Sequence, residues 1–563
     1  MIADILRGEI LTAVRALGIA VEEGDINLEH PADVSFGDYS TNIAMALGKK
    51  HNRNPKDLAA EIAKQILKQN NENLDKVEVA GPGFINFYLA PKFLINEVNK
   101  VLLAKQCYGS QAANGKKVLV EYSSPNIAKP LHVGHLRSTI IGDAVANILA
   151  FSGFEVVRDN HLGDWGTQFG KQIVAIKKWG DEEELEKSGD PLKMLVELYV
   201  KFHEEAEKDS TLEDLAREWT KKMEDGDAEA KRLWEKIVAW SMMGIKKIYD
   251  VLEVKFDTYL GESFYMDKTG AIVAALEKKS FYKKSEDARL VFFDDDKYPP
   301  LMILKKDGST VYATRDLATD LYRKETYGDE LTIINEVGGE QALYFKQIFE
   351  TEKILGWFKD GQRVHVMHGM YRFKDGKLST RKGKVIWVED ILDEAIDRAK
   401  EFNPEIAEDV GIGAIKYNDL KRDSRGDIVF DWNDILNLKG DSGPYLQYAY
   451  ARTQSILEKA KKEGVEALAS AKSFDRAKDE ITLIEKMLYR FPEVVARAAR
   501  EYAPHHIATY LFELANAFNG YYSDHQIVSQ EANSSYRVAL TAAVGQTLAN
   551  GLHLLGIKTP AKM

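Results

Sequence analysis

The sequence predicts an α/β protein: a doubly wound parallel sheet, preceded by an N-terminal α+β domain and followed by a C-terminal all-helical domain. Three observations predict it. Strand and helix patterns alternate from residue 115 to about 395. The apolar period changes within Lys117 to Asp143, KVLVEYSSPNIAKPLHVGHLRSTIIGD. From about Gly440 the chain carries helical spacing almost to its end. Domain boundaries are expected at 1–110, 111–440 and 441–563, with an insertion at about 178–260 inside the second.

The central stretch opens with a β-branched run, Val118 to Val120, that reads as a buried strand. A turn follows at Ser124, Pro125 and Asn126. From Leu131, the residues Leu136, Ile140, Ile141, Ala144, Val145, Ile148 and Leu149 fall on one side of a helix that stops near Gly153. His132 and His135 then sit in the first turn of a helix leaving a parallel sheet, three residues apart on one face. Unpaired backbone N–H groups and the positive end of the helix dipole favour an anion there, and two imidazoles add donors. Gly134 leaves room for a flat ring against the backbone.

Bulk properties limit the partners. A length of 563 residues, 45% hydrophobic and 29% charged, fits a globular protein of several domains. No apolar run reaches the ~18 residues of a membrane span, so no membrane role is expected. The N-terminus reads as an amphipathic helix without a signal peptide's apolar block. The lone Cys107 excludes an intrachain disulfide and a cysteine-rich zinc site, and fits a reducing cytoplasm. The net charge of −12 speaks against a nucleic-acid partner, but from Tyr445 onward 14 Lys and Arg outnumber 12 Asp and Glu. Phosphate binding depends on local patches, so this surplus permits such a partner without arguing for one.

In chain order, Asn54 to Asn70 is an amphipathic helix, followed by Val77 to Ala80, Gly81-Pro82-Gly83 and the alternating strand Phe84 to Tyr88. Phe84 and Phe87 read as hairpin core. Phe154 to Asp159 is a strand ending in NHLGDWGTQFG, where His161 and Asp164 are either helix caps or site residues. The Glu- and Lys-rich insertion presents solvated faces. Asp294 to Asp296 is expected to be a turn between strands, not a metal site. Ser309 to Thr314 is expected to be a strand carrying Tyr312, with Asp316 starting the next helix. Leu331 to Val337 leads through Gly338 to Gln341, and Arg363 to Met367 leads to the basic loop Gly376 to Gly383, GKLSTRKG.

HVGH has the His-x-Gly-His form found in class I aminoacyl-tRNA synthetases and related nucleotidyltransferases, and EYSSPNIAKPLHVGHLRSTIIGD resembles the arginyl-tRNA synthetases. GKLSTRKG is similar to their Lys-Met-Ser-Lys-Ser loop, with Thr380 where the second lysine would stand and Lys129 expected to compensate. The resemblance implies a Rossmann-like catalytic domain, ATP with Mg2+ as a substrate complex, L-arginine and tRNA(Arg) as partners, no structural metal, and a monomer. It implies that His132, His135, Lys129, Lys377, Ser379 and Arg381 are catalytic, and that His132, Gly134, His135 and Lys377 bind ATP. It assigns Ser124, Asn126 and His135 to the amino acid, with Glu121, Tyr312, Asp316 and Gln341 around its side chain. A planar, permanently charged guanidinium needs such carboxylates. It further implies tRNA contacts at Phe84 and Asn86, at Tyr448 and Arg452, and at the terminal Met563. The rival expectations are a synthetase for another amino acid, and a noncatalytic RNA-binding relative.

Overall fold

The computed structural model describes residues 1–127, 129, 131–373, 387–469, 480–531 and 533–563. The N-terminal domain packs α1 (Ile2–Ala16), α2 (Ile43–His51) and α3 (Pro55–Leu67) on a small antiparallel sheet of β1 (Tyr39–Thr41), β2 (Leu74–Ala80) and β3 (Phe84–Leu89), in the order β1-β3-β2. Asn54 caps α3 with its side chain, ahead of Pro55, whose missing N–H costs nothing at that position. Ile85, Phe87 and Leu89 alternate into the core with Leu6, Ile10, Leu58 and Ile62.

α4 (Pro91–Ala104) leads into the parallel-sheet domain. There β4 (Lys117–Glu121), α5 (Val133–Phe151), β5 (Glu155–Asp159) and α6 (Thr167–Trp179) form the first strand–helix units. The insertion is helical: α7 (Glu182–Lys187), α8 (Pro191–Ala206), α9 (Thr211–Glu224) and α10 (Ala228–Val251). After α11 (Glu262–Tyr265) and α12 (Thr269–Glu277), a separate antiparallel sheet joins β6 (Tyr282–Ser285), β7 (Ala288–Val291) and β8 (Leu301–Leu304). Asp294–Asp296 is the short turn expected between its strands.

The expected strand at Ser309 to Thr314 does not form. Only Thr310 bridges, to Leu304, and α13 (Tyr312–Tyr327) already begins at Tyr312. The β-branched residues suggested a strand, but Val311 is extended as the residue before the helix and the Thr314 hydroxyl reaches back to its N–H. Tyr312 therefore opens a helix, and Asp316 lies one turn inside it.

The main sheet closes with β9 (Thr332–Gly338), α14 (Ala342–Ile354) and β10 (Arg363–His368). Its order is β10-β9-β4-β5, every pair parallel. The chain leaves β4 toward β5 and later returns to the opposite side of β4, so the topological switch lies between β4 and β9. A crevice at their carboxyl ends is where such sheets place a ligand. Helix α13 feeds β9 and runs antiparallel to it, which brings its N-terminus to that same rim.

β11 (Tyr371–Phe373), α15 (Val388–Ala399), α16 (Ala407–Leu420), β12 (Ile428–Phe430) and α17 (Trp432–Ile435) complete the domain, with β11 paired to β12. The C-terminal part comprises α18 (Gly443–Lys462), α19 (Leu483–Leu488), α20 (Phe491–Glu501), α21 (His505–Asp524) and α22 (Ser534–Leu554). Its core is continuous with that of α5 and α16. Buried Lys416 on α16 donates to the carbonyls of Leu252 and Gly556, 2.6 Å each, pinning the ends of α10 and α22 together. The N-terminal domain docks on the C-terminal one: the Tyr39 hydroxyl donates to Glu493 at 2.5 Å, His30 Nε2 lies 3.2 Å from the same carboxylate, and Lys486 lies 3.3 Å from Asp38. Among the described residues no helix is long and apolar enough to cross a membrane.

Candidate active site

The rim begins where β4 ends. Ser123 and Ser124 take left-handed backbone angles, φ 68° and 38°, a sharp kink for non-glycine residues. Hydrogen bonds hold it: the Ser123 N–H donates to Ser138 Oγ (3.0 Å) and Thr139 Oγ1 donates to Ser123 Oγ (2.7 Å). Asn126 bridges to Gly163 on the neighbouring loop. The loop is thereby tied to α5 before the histidines are reached.

His132 is the N-cap of α5. Its Nδ1 accepts from the Gly134 N–H at 3.1 Å, while His135 Nδ1 accepts from the His132 N–H at 3.1 Å. This reciprocal cap narrows the expectation of free N–H groups there, because the imidazoles take two of the first four. With Nδ1 an acceptor in each ring, the proton of each neutral imidazole sits on Nε2. Neutrality follows from burial, which pulls His135 down to about 3, helped by His132 and His368, and which lowers His132, helped by Lys129. The rings lie 3.9 Å apart. A Cβ at Gly134 would come within 3.0 Å of the His132 ring, so the flat ring against this backbone is the protein's own.

The acids divide into two groups. Buried Glu121 is not a free carboxylate: its Oε2 lies 2.6 Å from Arg323 and accepts from Asn335 at 2.9 Å. Arg323 also pairs with Asp159 and Asp320, and Arg363 joins Asp320 and Glu352. Burial works against the charge of Arg323, but Asp159, Glu121 and Asp320 outweigh it. Burial drives Glu352 well above the usual carboxylate range. Asp316 stands apart. It accepts from the Tyr344 hydroxyl, and among the described residues no Lys or Arg forms an ion pair with it. Burial raises its pKa to about 6, against the opposing influence of His161 and Tyr344.

His161 sits among Asp164, Glu262 and Asp316, with Nδ1 buried and without a hydrogen bond among the described residues. Asp164 is a cap, but of α11 and not of the next helix: it accepts from the Ser263 N–H (2.8 Å) and hydroxyl (2.6 Å). Arg315 pairs with Glu262 at 3.0 Å and lies over the exposed Tyr312 ring. Gln341 is exposed at the start of α14. Lys129 is exposed, its Nζ 5.7 Å from the ring centroid of Tyr199 on α8. Trp387 pairs with His132 through the backbone, and the Val388 N–H donates to the Leu131 carbonyl at 3.0 Å. Lys377, Ser379 and Arg381 lie outside the described residues.

The sequence reading missed Tyr344, Arg323 and the fixed state of Glu121. A signal existed for Arg323, since Asp316, Asp320 and Arg323 share one helical face at i, i+4 and i+7. Away from the rim, Phe84 is half-buried, and Asn86 is buried with its oxygen accepting from Ser40 at 2.8 Å. The middle position of β3 covers both of its edges with neighbouring strands. Arg452 lies over the exposed Tyr448 ring at 4.8 Å and over Tyr522 at 5.3 Å. Met563 is half-buried against Ala399, Ala407 and Val410.

A parallel sheet with a His-x-Gly-His helix start at its switch point, carrying a helical C-terminal domain, defines a class I aminoacyl-tRNA synthetase. Residues 97–432 match the family described as tRNA synthetases class I (R), catalytic domain; residues 4–89 match the arginyl tRNA synthetase N terminal domain, and 446–563 the DALR anticodon binding domain. The chain is 41% identical to an arginine–tRNA ligase of Exiguobacterium over 99% of both chains, and 43% identical to one of Clostridium botulinum over 95% of this chain and 96% of that one. Among solved structures it resembles the arginyl-tRNA synthetase of Thermus thermophilus (TM-score 0.82, 26% identity, 100% of both chains) and that of Plasmodium falciparum (TM-score 0.83, 25% identity, 100% and 99%). The chain belongs to the arginyl-tRNA synthetase family and is an arginine–tRNA ligase.

Proposed function

We propose that the rim between β4 and β9 activates L-arginine with magnesium-bound ATP and passes the arginyl group to the 3′ end of tRNA(Arg). The arginine carboxylate attacks the α-phosphorus, pyrophosphate leaves, and a terminal ribose hydroxyl then takes the arginyl group. Alignment and charge stabilisation carry the rate, with no covalent enzyme intermediate. The observation that carries this reading is Asp316, an acid in a crowded recess without a Lys or Arg partner among the described residues, one turn inside a helix that opens on the rim. A guanidinium supplies the missing charge, and the Tyr344 hydroxyl holds the carboxylate in place for it.

Glu121, fixed by Arg323, adds negative field instead of a free ligand. Ser124 and Asn126 bind the amino-acid end, with Tyr312 and Gln341 bordering its side chain. His132 and His135 donate Nε2–H to ATP, a neutral hydrogen bond that strengthens as phosphate charge develops. By resemblance, Lys129, Lys377, Ser379 and Arg381 meet the triphosphate. The domain boundaries read from the sequence, 1–110, 111–440 and 441–563, fit this division of labour, and the protein acts as a cytoplasmic monomer in this reading. Exchange of ATP with pyrophosphate, measured over a panel of amino acids with tRNA present, is expected to respond to arginine alone. Response to a different amino acid overturns the assignment of Asp316.

Phe84 and Asn86 are assigned to the tRNA by resemblance, and the burial of Asn86 weakens that assignment. Tyr448 fits the anticodon role better, being exposed and backed by Arg452. Met563, packed beside α15 and α16, would act by shaping that surface. Replacing Tyr448 with Ala is expected to raise the KM for tRNA by about tenfold, the scale of one base stacked on an aromatic ring, and to leave exchange kinetics for arginine and ATP unchanged.

A further inference from the structure

A third imidazole stands beside HVGH. His368 closes β10 with its Nδ1 2.8 Å from Oε1 of Glu336, on the adjacent strand β9. The Glu336 side chain is fully buried, and its Oε2 has no hydrogen-bond partner among the described residues. The strand end is braced: Ser424 Oγ donates to the Met367 carbonyl at 2.8 Å, and the Gly369 N–H donates to the Ser424 carbonyl at 2.9 Å. Ser138, three residues beyond His135 on α5, donates its hydroxyl to the Glu336 carbonyl at 3.1 Å. The pair is thus built into the same rim as the two motif histidines, close enough for His368 to act electrostatically on His135.

With Nδ1 committed to Glu336, only Nε2 remains, and it has no hydrogen-bond partner among the described residues. A fully buried carboxylate such as Glu336 costs too much to keep unless it is paired with a charge. From the groups around it, Glu336 on β9 and Asp419 on α16 favour an imidazolium at His368; Arg137 and His135 on α5 and His365 on its own strand oppose one.

We propose that His368, held by Glu336, contacts the ATP substrate through Nε2–H and is the charged member of a three-imidazole phosphate site whose other two members, His132 and His135, are neutral. Resting on the reading of this rim as the ATP site, the inference adds to it a contact that HVGH does not provide. Burial on its own would lower the His368 pKa, but Glu336 outweighs it and the net direction is up. The imidazolium therefore persists at lower pH. As pH climbs through the His368 pKa, the ring keeps its Nδ1 proton on Glu336 and presents a lone pair at Nε2, which a phosphate oxygen repels.

The test is arginine-dependent exchange of ATP with pyrophosphate on the full-length protein with tRNA, measured from pH 6 to 9. In His368→Ala, the KM for ATP is expected to rise roughly ten- to a hundredfold, the range for loss of one charge-assisted hydrogen bond, with the KM for arginine unchanged. Glu336→Gln keeps the ring but removes the buried charge, and is expected to move the rise in KM for ATP to lower pH. ATP kinetics and pH profiles like the wild type's in both folded variants would overturn the inference. So would equal losses of ATP and arginine affinity together with a lowered unfolding temperature, which would mark a packing role only. A wild-type protein without arginine-dependent exchange would instead sink the functional reading itself.

Discussion

Asp316→Asn is expected to lose arginine affinity by roughly two to four orders of magnitude, with ATP affinity kept. Truncating one side of a buried, hydrogen-bonded charge pair costs about 2–5 kcal/mol or more, because the other charge is left without its counterpart. Asparagine preserves size and can still bond Tyr344, so a folding defect is not the expected cause. The pH dependence is a second signature. With its folded pKa at about 6, above the ordinary 3.8, ionised Asp316 costs the empty protein stability above pH 6, and that cost disappears as pH falls below 3.8. A bound guanidinium favours the ionised form, so binding releases a proton near pH 6, and arginine affinity should rise between about pH 5 and 7. Titration calorimetry in buffers of different ionisation enthalpy reads this directly. A wild-type protein with flat affinity over that window, or a variant that loses ATP binding equally, contradicts the assignment.

Arg323→Met is expected to lower the urea stability of the catalytic domain by about 3–5 kcal/mol, the cost of removing one partner from a buried ionic network. Arg323 touches Glu121, Asp159 and Asp320. Without it, the one cation among the described residues still paired with any of those three carboxylates is Arg363, bound to Asp320 and Glu352. Acidification should partly rescue the variant, since protonating the stranded acids relieves their repulsion. Circular dichroism in urea at pH 5 and pH 8 checks both claims. Unchanged stability at both values would mean that the network contributes position without net free energy.

Most of the sheet was legible because it rests on local patterns. Val118 to Val120 and the apolar residues from Leu136 to Leu149 each declare their period without help from elsewhere, and four of the five expected parallel strands form. Ser309 to Thr314 failed because β-propensity records a fit to a half-buried pleated surface, and at Tyr312 the hydroxyl of Thr314 and the run of α13 offered a better use of the same residues. The histidines were placed correctly but misread in one respect, since side-chain capping by an imidazole ring depends on rotamers that spacing does not encode. Glu121 illustrates the largest gap. Its partners Arg323 and Asn335 are about two hundred positions away, and only the folded sheet turns an apparent ligand into a satisfied buried charge.

The contact of Tyr39 and His30 with Glu493 has a consequence for synthesis on the ribosome. The first domain has its own core and is finished early, yet the carboxylate that receives its tyrosine is encoded nearly four hundred codons later. At about 5–20 residues per second, that surface stays uncovered for roughly twenty to eighty seconds in every new molecule. Tyr39 and His30 gain their carboxylate partner only after that interval, so the nascent chain's earliest module docks long after its own core can form.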